Sequence, residues 1–200
     1  MPHAALEPVA DPIALFRDWL EQATQSEPND PNAMALATAS DAGPPSVRMV
    51  LLKDVDAHGF VFYTNKQSRK AEEIAERRSA GLLFHWKSLR RQVRIAGAVE
   101  DVDESEADAY FASRARLSRL GAIASDQSRP LPDRAELERR LDAAQKRYPG
   151  DDVPRPAHWS GYRVVPETIE FWQDMPYRLH DRMVYRRDPD QGWLTQRLYP

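Results

Sequence analysis

A chain of 200 residues with 42% hydrophobic content and 5 Trp, 7 Tyr and 6 Phe can bury a core and is no disordered segment. Its 28 Lys+Arg against 31 Asp+Glu leave a formal charge of −3, which argues against a bulk polyanion binder. With no cysteine, thiol nucleophiles, disulfides, iron–sulfur clusters and thiolate zinc sites are excluded.

Residues 1–11 show no basic start followed by an apolar run, so no signal peptide is evident and a cytoplasmic setting is expected. They are expected to form a flexible tail ahead of one folded unit over 12–200. Asp11 or Pro12 opens a helix to about Thr24, with Ile13, Phe16, Leu20 and Ala23 at helical spacing. Residues 25–33 are a turn-rich linker. Strand-like segments follow at 34–38, 47–52, 59–64, 81–86 and about 92–102, with one helix at 68–78 among them. Their short polar connections suit antiparallel meanders. Helices at about 105–113, 117–124 and 133–148 precede a Pro-rich loop. Strands at 161–165, 169–172 and 183–187 then lead to a closing segment, 193–198. Strands at both ends with helices between them suggest a mainly β fold with α, a small β-barrel decorated by helices. No run approaches the roughly 18 apolar residues of a membrane helix.

The eight glycines are never closer than 11 residues, so neither GxGxxG nor GxxxxGK[ST] exists to cradle a phosphate. The five histidines are scattered, no HExxH occurs, and nothing points to a metal. The cations divide into 23 Arg and 5 Lys. That bias reflects either a GC-rich genome or recognition of phosphate and carboxylate by forked guanidinium contacts.

Several clusters suit the second reading. Arg48 and Lys53 bracket an apolar strand, either as solvated strand ends or as part of a site; on a regular strand their opposite parity sends them to opposite faces, so one pocket uses both only if a bulge or a strand terminus redirects one of them. At Tyr63-Thr64-Asn65-Lys66-Gln67-Ser68-Arg69-Lys70 a strand end runs into a helix start, with Ser68 or Asn65 as N-cap. The free first-turn amides there attract anions, and a phosphate would offset the mismatch of Arg69 and Lys70 with the helix dipole. Gln92 and Arg94 share a face of the long strand, as a solvated edge or as contacts to a heteroaromatic ring. Tyr110, Arg114 and Ser118 fall at i, i+4, i+8, which on a continuing helix aligns a phenol, a guanidinium and a hydroxyl. If 178–182 is extended, Arg178, His180 and Arg182 project to one side, close to Trp172.

Taken in order, RMVLLK (48–53), FYTNKQSRKA (62–71), RQVRIAG (91–97), Tyr110-Phe111 with Ser113-Arg114, Ser118 and Gly121, Ser125 with Gln127-Ser128, IEFWQ (169–173) and RLHDR (178–182) closely resemble the pyridoxamine 5'-phosphate oxidase family. The resemblance runs from about residue 12 to the C-terminus. It implies an FMN-binding split β-barrel, a homodimer with each flavin between two subunits, and a flavin-dependent oxidoreductase. The reaction implied is oxidation of pyridoxamine or pyridoxine 5'-phosphate to pyridoxal 5'-phosphate, with O2 as acceptor and H2O2 as product. Carried over residue by residue, it assigns FMN contacts to Arg48, Met49, Val50, Leu51, Leu52, Lys53, Tyr63, Thr64, Arg69, Lys70, Gln92, Gln127, Ser128, Trp172 and Arg182. Lys53, Tyr110, Arg114 and Ser118 are assigned to the substrate phosphate, and Arg178, Leu179 and His180 to the substrate ring, with Arg178 and His180 catalytic. A two-subunit site lets the opposite faces of Arg48 and Lys53 serve different flavins. Family members often carry Gly and small or polar residues after IEFWQ, where this chain reads Asp174-Met175-Pro176-Tyr177.

The alternatives are an FMN-binding split-barrel protein with another substrate or without turnover, a nucleic-acid module using the basic strand near Trp86, and a structural scaffold. The net charge weighs against nucleic acid, and a scaffold leaves the arginine clusters unexplained. No membrane partner is expected.

Overall fold

The computed structural model describes residues 5–200. Asp11 starts helix α1 (Pro12–Ser26) by accepting from the Ile13 amide at 2.8 Å, and Pro12 occupies the first turn, where its missing N–H costs nothing. Phe16 and Trp19 of that helix are 0% and 3% exposed. They plug the sheet, with Phe16 edge-on to Phe60 and Phe84 at 4.9 Å and Trp19 edge-on to Phe171 at 5.1 Å.

The strands are β1 (Ala33–Thr38), β2 (Ser46–Leu51), β3 (Asp54–Val55), β4 (Phe60–Asn65), β5 (Ser79–Trp86), β6 (Arg91–Asp101), β7 (Trp159–Gln173), β8 (Asp181–Asp188) and β9 (Gly192–Arg197). All pair antiparallel in the order β2-β1-β5-β6-β7-β4-β3, with β8 and β9 branching from β7. The sheet is therefore a mainly β half-barrel, as strands at both ends with helices between them implied.

The reading of two strands at 161–165 and 169–172 is corrected to the single strand β7. Ala96 faces Thr168 but Gly97 faces Pro166, so Glu167 bulges out. Buried positions change parity there, from Tyr162 and Val164 to Ile169 and Phe171, and the bulge tolerates Pro166, which cannot donate to a ladder. Only glycine fits opposite, since a Cβ on Gly97 would lie 1.9 Å from the Val165 carbonyl oxygen. This bend lets β7 pair with β4 at its start and with β8 at its end.

Helix α2 (Arg69–Arg77) follows β4 after a tight turn in which the Ser68 hydroxyl donates to the Asn65 carbonyl at 2.7 Å. Helices α3 (Glu104–Ser113), α4 (Arg116–Ala124) and α5 (Arg134–Arg147) form a lobe with its own core of Phe111, Leu120, Ala144, Val153 and Trp159. The break expected between the helices at 105–113 and 117–124 is present: Arg114 is extended (φ −72, ψ 149) and the helix restarts at Arg116, so Tyr110, Arg114 and Ser118 do not share one continuous helix.

Of the segment read as a tail, residues 1–4 lie outside the described residues. Farther on, the Leu6 amide donates to Asp181 Oδ2 at 2.6 Å and the Val9 amide donates to the Tyr185 hydroxyl at 3.0 Å. Among the described residues no helix is long and apolar enough to cross a membrane.

Candidate active site

A cavity of about 1010 Å³ opens between the barrel and the helical lobe. Five cationic side chains line it, Arg48, Lys53, Arg69, Lys70 and Arg114, and no carboxylate does. The same wall carries Met49, Val50, Leu51, Tyr63, Thr64, Tyr110, Ser118, Gln127 and Ser128, so fourteen of the expected positions meet in one place.

Arg48 and Lys53 both line this cavity of one chain, because the end of the strand redirects Lys53, the exception the parity reading left open. The strand is not regular through residue 53. β2 ends at Leu51, the Leu52 amide turns to the Asn32 carbonyl at 2.9 Å, and the Lys53 amide donates to Val61 across the sheet at 2.8 Å. Leu52 does not line the cavity: it is 4% exposed and belongs to the barrel core.

The phosphate-like corner is built where β4 enters α2. Lys70, 8% exposed, donates to Gln127 Oε1 at 2.8 Å, to Ser68 Oγ at 3.0 Å and to Thr64 Oγ1 at 3.1 Å, all neutral acceptors. Burial first, and then neighbouring Arg48, push its pKa down to about 8 against the pull of Glu73. Ser128 sits at φ 70 in the loop after α4 that delivers Gln127. Beneath this corner lies Glu73, which the sequence reading missed. It accepts from Arg69 Nε at 2.8 Å, Arg48 Nη2 at 3.2 Å, Ser46 Oγ at 2.5 Å and the Thr38 hydroxyl.

The lobe side is aromatic. Tyr63 stacks on Tyr110 at 4.1 Å and on Trp159 at 5.3 Å, with interplanar angles of 16° and 6°. Tyr63 donates to Glu106 at 3.1 Å, and burial together with that carboxylate pushes its phenol pKa up, so it stays neutral. Arg114 lies over Trp159 with Cζ 4.8 Å from the ring centroid. Its Nη1 is buried and has no hydrogen-bond partner among the described residues.

These features fit phosphorylated ligands. An orphaned guanidinium nitrogen, a buried ammonium held only by neutral groups, and a cavity lining without acids all call for anionic oxygens. The size suits a ligand as large as a flavin. Asn65, Ser125 and Trp159 also line the cavity. No motif marked Trp159, which sits at the end of a Pro-rich loop.

The remaining expected residues form a second cluster that does not line the cavity. Gln92, Trp172 and Arg182 are in register across β6, β7 and β8. The His180 ring lies 4.6 Å from that of Trp172, and Arg182 Nε donates to Glu170 at 2.9 Å. The extended reading of 178–182 is corrected: Pro176–Arg178 is a 3-10 turn with Tyr177 and Arg178 at φ 58 and 62, and β8 begins only at Asp181. Arg178 and Leu179 are exposed.

An antiparallel half-barrel with a phosphate-seeking cavity on one side and a separate cluster of Gln92, Trp172 and Arg182 on another defines the class of FMN-binding split-barrel proteins. Comparison with known proteins narrows this. The family model described as pyridoxamine 5'-phosphate oxidase matches residues 20–148, and that of the pyridoxine 5'-phosphate oxidase C-terminal dimerisation region matches 159–200. The chain belongs to the pyridoxamine 5'-phosphate oxidase family. It is 65% identical over 191 residues to a pyridoxine/pyridoxamine 5'-phosphate oxidase of Gluconobacter oxydans, covering 96% of this chain and 95% of the relative. A protein of the same name from Caulobacter vibrioides is 62% identical, covering 95% and 85%. Among solved structures, PhzG from Burkholderia lata in complex with tetrahydrophenazine-1-carboxylic acid superposes with a TM-score of 0.91 at 34% identity, covering 97% and 95%. An FMN-binding protein from Nostoc punctiforme, at 18% identity and a TM-score of 0.76 with 95% and 98% covered, shares the fold.

Proposed function

We propose that the cavity and the strand-borne cluster are two halves of one active centre, completed when two copies of this chain form a homodimer. The reaction is the oxidation of pyridoxamine or pyridoxine 5'-phosphate to pyridoxal 5'-phosphate, with FMN as cofactor, O2 as acceptor and H2O2 as product. The amine substrate also consumes water and releases ammonia. Bound FMN supplies the acceptor for hydride and the route by which two electrons reach O2.

Arg48, Arg69 and Lys70, with Thr64, Gln127 and Ser128, would hold the flavin phosphate, and Met49, Val50 and Leu51 would offer their wall of the cavity to the ring system. Gln92, Trp172 and Arg182 of the second copy close on the flavin. Lys53, Tyr110, Arg114 and Ser118 bind the substrate phosphate, which sets the substrate ring against the flavin. Arg178 and His180, with Leu179, cover that ring and orient the amine or alcohol. Residues 12–200 act as one unit, in the cytoplasm.

The observation that carries this reading is the cavity lined by five cations and no acid, with an unpartnered Arg114 nitrogen in it. The experiment is direct. The purified protein is expected to be yellow with one FMN per chain and to release peroxide with pyridoxamine or pyridoxine 5'-phosphate but not with the unphosphorylated vitamers. A yellow protein inert to both phosphates leaves a split-barrel flavoprotein with another substrate, and a protein that takes up no FMN refutes the reading altogether.

A further inference from the structure

We propose that Asp174 is a positioning residue for His180, fixing which imidazole nitrogen carries the proton. The inference rests on the reading above, in which His180 faces the substrate. It uses the segment that follows IEFWQ, Asp174-Met175-Pro176-Tyr177.

Two neighbours make opposite demands on His180 Nδ1. Asp174 Oδ1 lies 3.1 Å away and, as a carboxylate, only accepts. The backbone N–H of Met175 points at the same nitrogen from 3.3 Å and only donates. A neutral imidazole satisfies one of them. The charge-assisted bond is the shorter and the stronger, so Nδ1 carries the proton. Nε2 is then left with a free lone pair, the acceptor that a substrate amine or hydroxyl requires. Without the carboxylate the Met175 amide takes over, Nδ1 becomes the acceptor, and the proton moves to Nε2. The face turned to the substrate changes from acceptor to donor.

The carboxylate is itself built in. Its Oδ2 pairs with Arg90 Nη2, and the Asp174 amide donates to the Arg90 carbonyl at 3.0 Å. Arg90 holds this place at φ 53, in the turn between β5 and β6. Asp174 is 18% exposed, and the imidazole also rests against Trp172. The arrangement has the orienter–imidazole geometry that sets a tautomer, with the anchoring cation behind it.

The test is made on holoenzyme labelled with 15N-histidine, the His180 signals being assigned by their loss in His180→Ala. The parent is expected to show a protonated Nδ1 and a bare Nε2, and Asp174→Ala the reverse. Asp174→Asn, which keeps the shape and can bond either way, is expected to show a mixture. In both variants kcat should fall on the order of 10- to 100-fold, with KM and FMN content nearly unchanged, and Asp174→Glu should recover part of the rate. Unchanged imidazole signals in both Asp174→Ala and Asp174→Asn overturn the proposal. A His180→Ala enzyme with undiminished kcat overturns instead the role given to His180, whatever the 15N spectra show for Asp174.

Discussion

Replacing Glu73 by Gln tests whether the acid beneath the cavity holds its guanidinium groups in place. The Glu73 side chain is 6% exposed and receives four side-chain donors, from Thr38, Ser46, Arg48 and Arg69. Burial pushes its pKa up, but those donors outweigh it and hold the group at about 2 against an ordinary 4.5. At about 1.4 kcal/mol per unit the difference is roughly 3 kcal/mol, and screening from the open cavity reduces it to about 2 kcal/mol. Because the folded pKa lies below the unfolded one, this contribution is complete above pH 4.5 and disappears as the pH falls toward 2. In urea titrations of the FMN-free protein, E73Q should therefore be about 2 kcal/mol less stable than the parent at pH 7. For a chain of this length that is a Tm loss of about 4–8 °C. The gap should narrow by roughly 40% at pH 3.5. A gap that is absent at pH 7, or equally wide at pH 7 and 3.5, refutes the reasoning.

Arg114→Ala removes a charge-assisted phosphate contact of about 1.5–3 kcal/mol. Steady-state kinetics should show kcat/KM lower by roughly 10- to 150-fold, mostly through KM, with FMN affinity unchanged; a loss confined to FMN content contradicts the assignment. Lys70 titrates near 8 in the flavin-free cavity, and a bound phosphate favours its charged form. FMN affinity, followed by quenching of flavin fluorescence, should be level between about pH 7 and that pH and fall above it, with proton uptake on binding near pH 8. Lys70→Met should bind weakly at all pH values and lose that dependence.

Much of the barrel was legible because its strands alternate cleanly. Met34 and Leu36 of β1, and Leu82, Phe84 and Trp86 of β5, point inward in period two. Alternation failed where backbone irregularities intervened. The Glu167 bulge reversed the parity of β7 and made one strand look like two. Lys53 left its strand's face when the chain exchanged Asn32 for Val61 as backbone partner. Hydrogen-bond exchange between distant segments leaves no local period, so no window of sequence reports it. The site residues were legible as motifs because phosphate must be held by side chains in a chain without glycine cradles. Glu73 escaped because it acts through other residues, with partners in β1, β2 and α2, and Asp174 showed only as an unusual residue after IEFWQ, because its contacts to Arg90 and His180 are set by the fold.

The separation of the cavity from the strand-borne cluster has a consequence for activity that a single-chain site would not share. In the two-copy centre proposed above, each centre takes its cavity from one copy and its cluster from the other, as a closed two-fold dimer permits. A chain carrying Arg114→Ala damages the cavity of one centre, and a chain carrying His180→Ala damages the cluster of one centre. When the two variants pair, both lesions fall on the same centre, and the other is assembled from intact halves. Each homodimer is impaired at both of its centres. Random re-pairing of equal amounts makes about half the dimers mixed, so about a quarter of all centres regain parental activity. The measurement is to dissociate and reassociate the two variant proteins together and compare peroxide release with that of each variant treated alone. If every chain carried a complete site, mixing would restore nothing, because no rearrangement of whole sites repairs either lesion. Recovery to about a quarter also assigns the halves. Arg114→Ala mixed with Lys53→Ala, two lesions in the same cavity, should stay at the activity of its weak components.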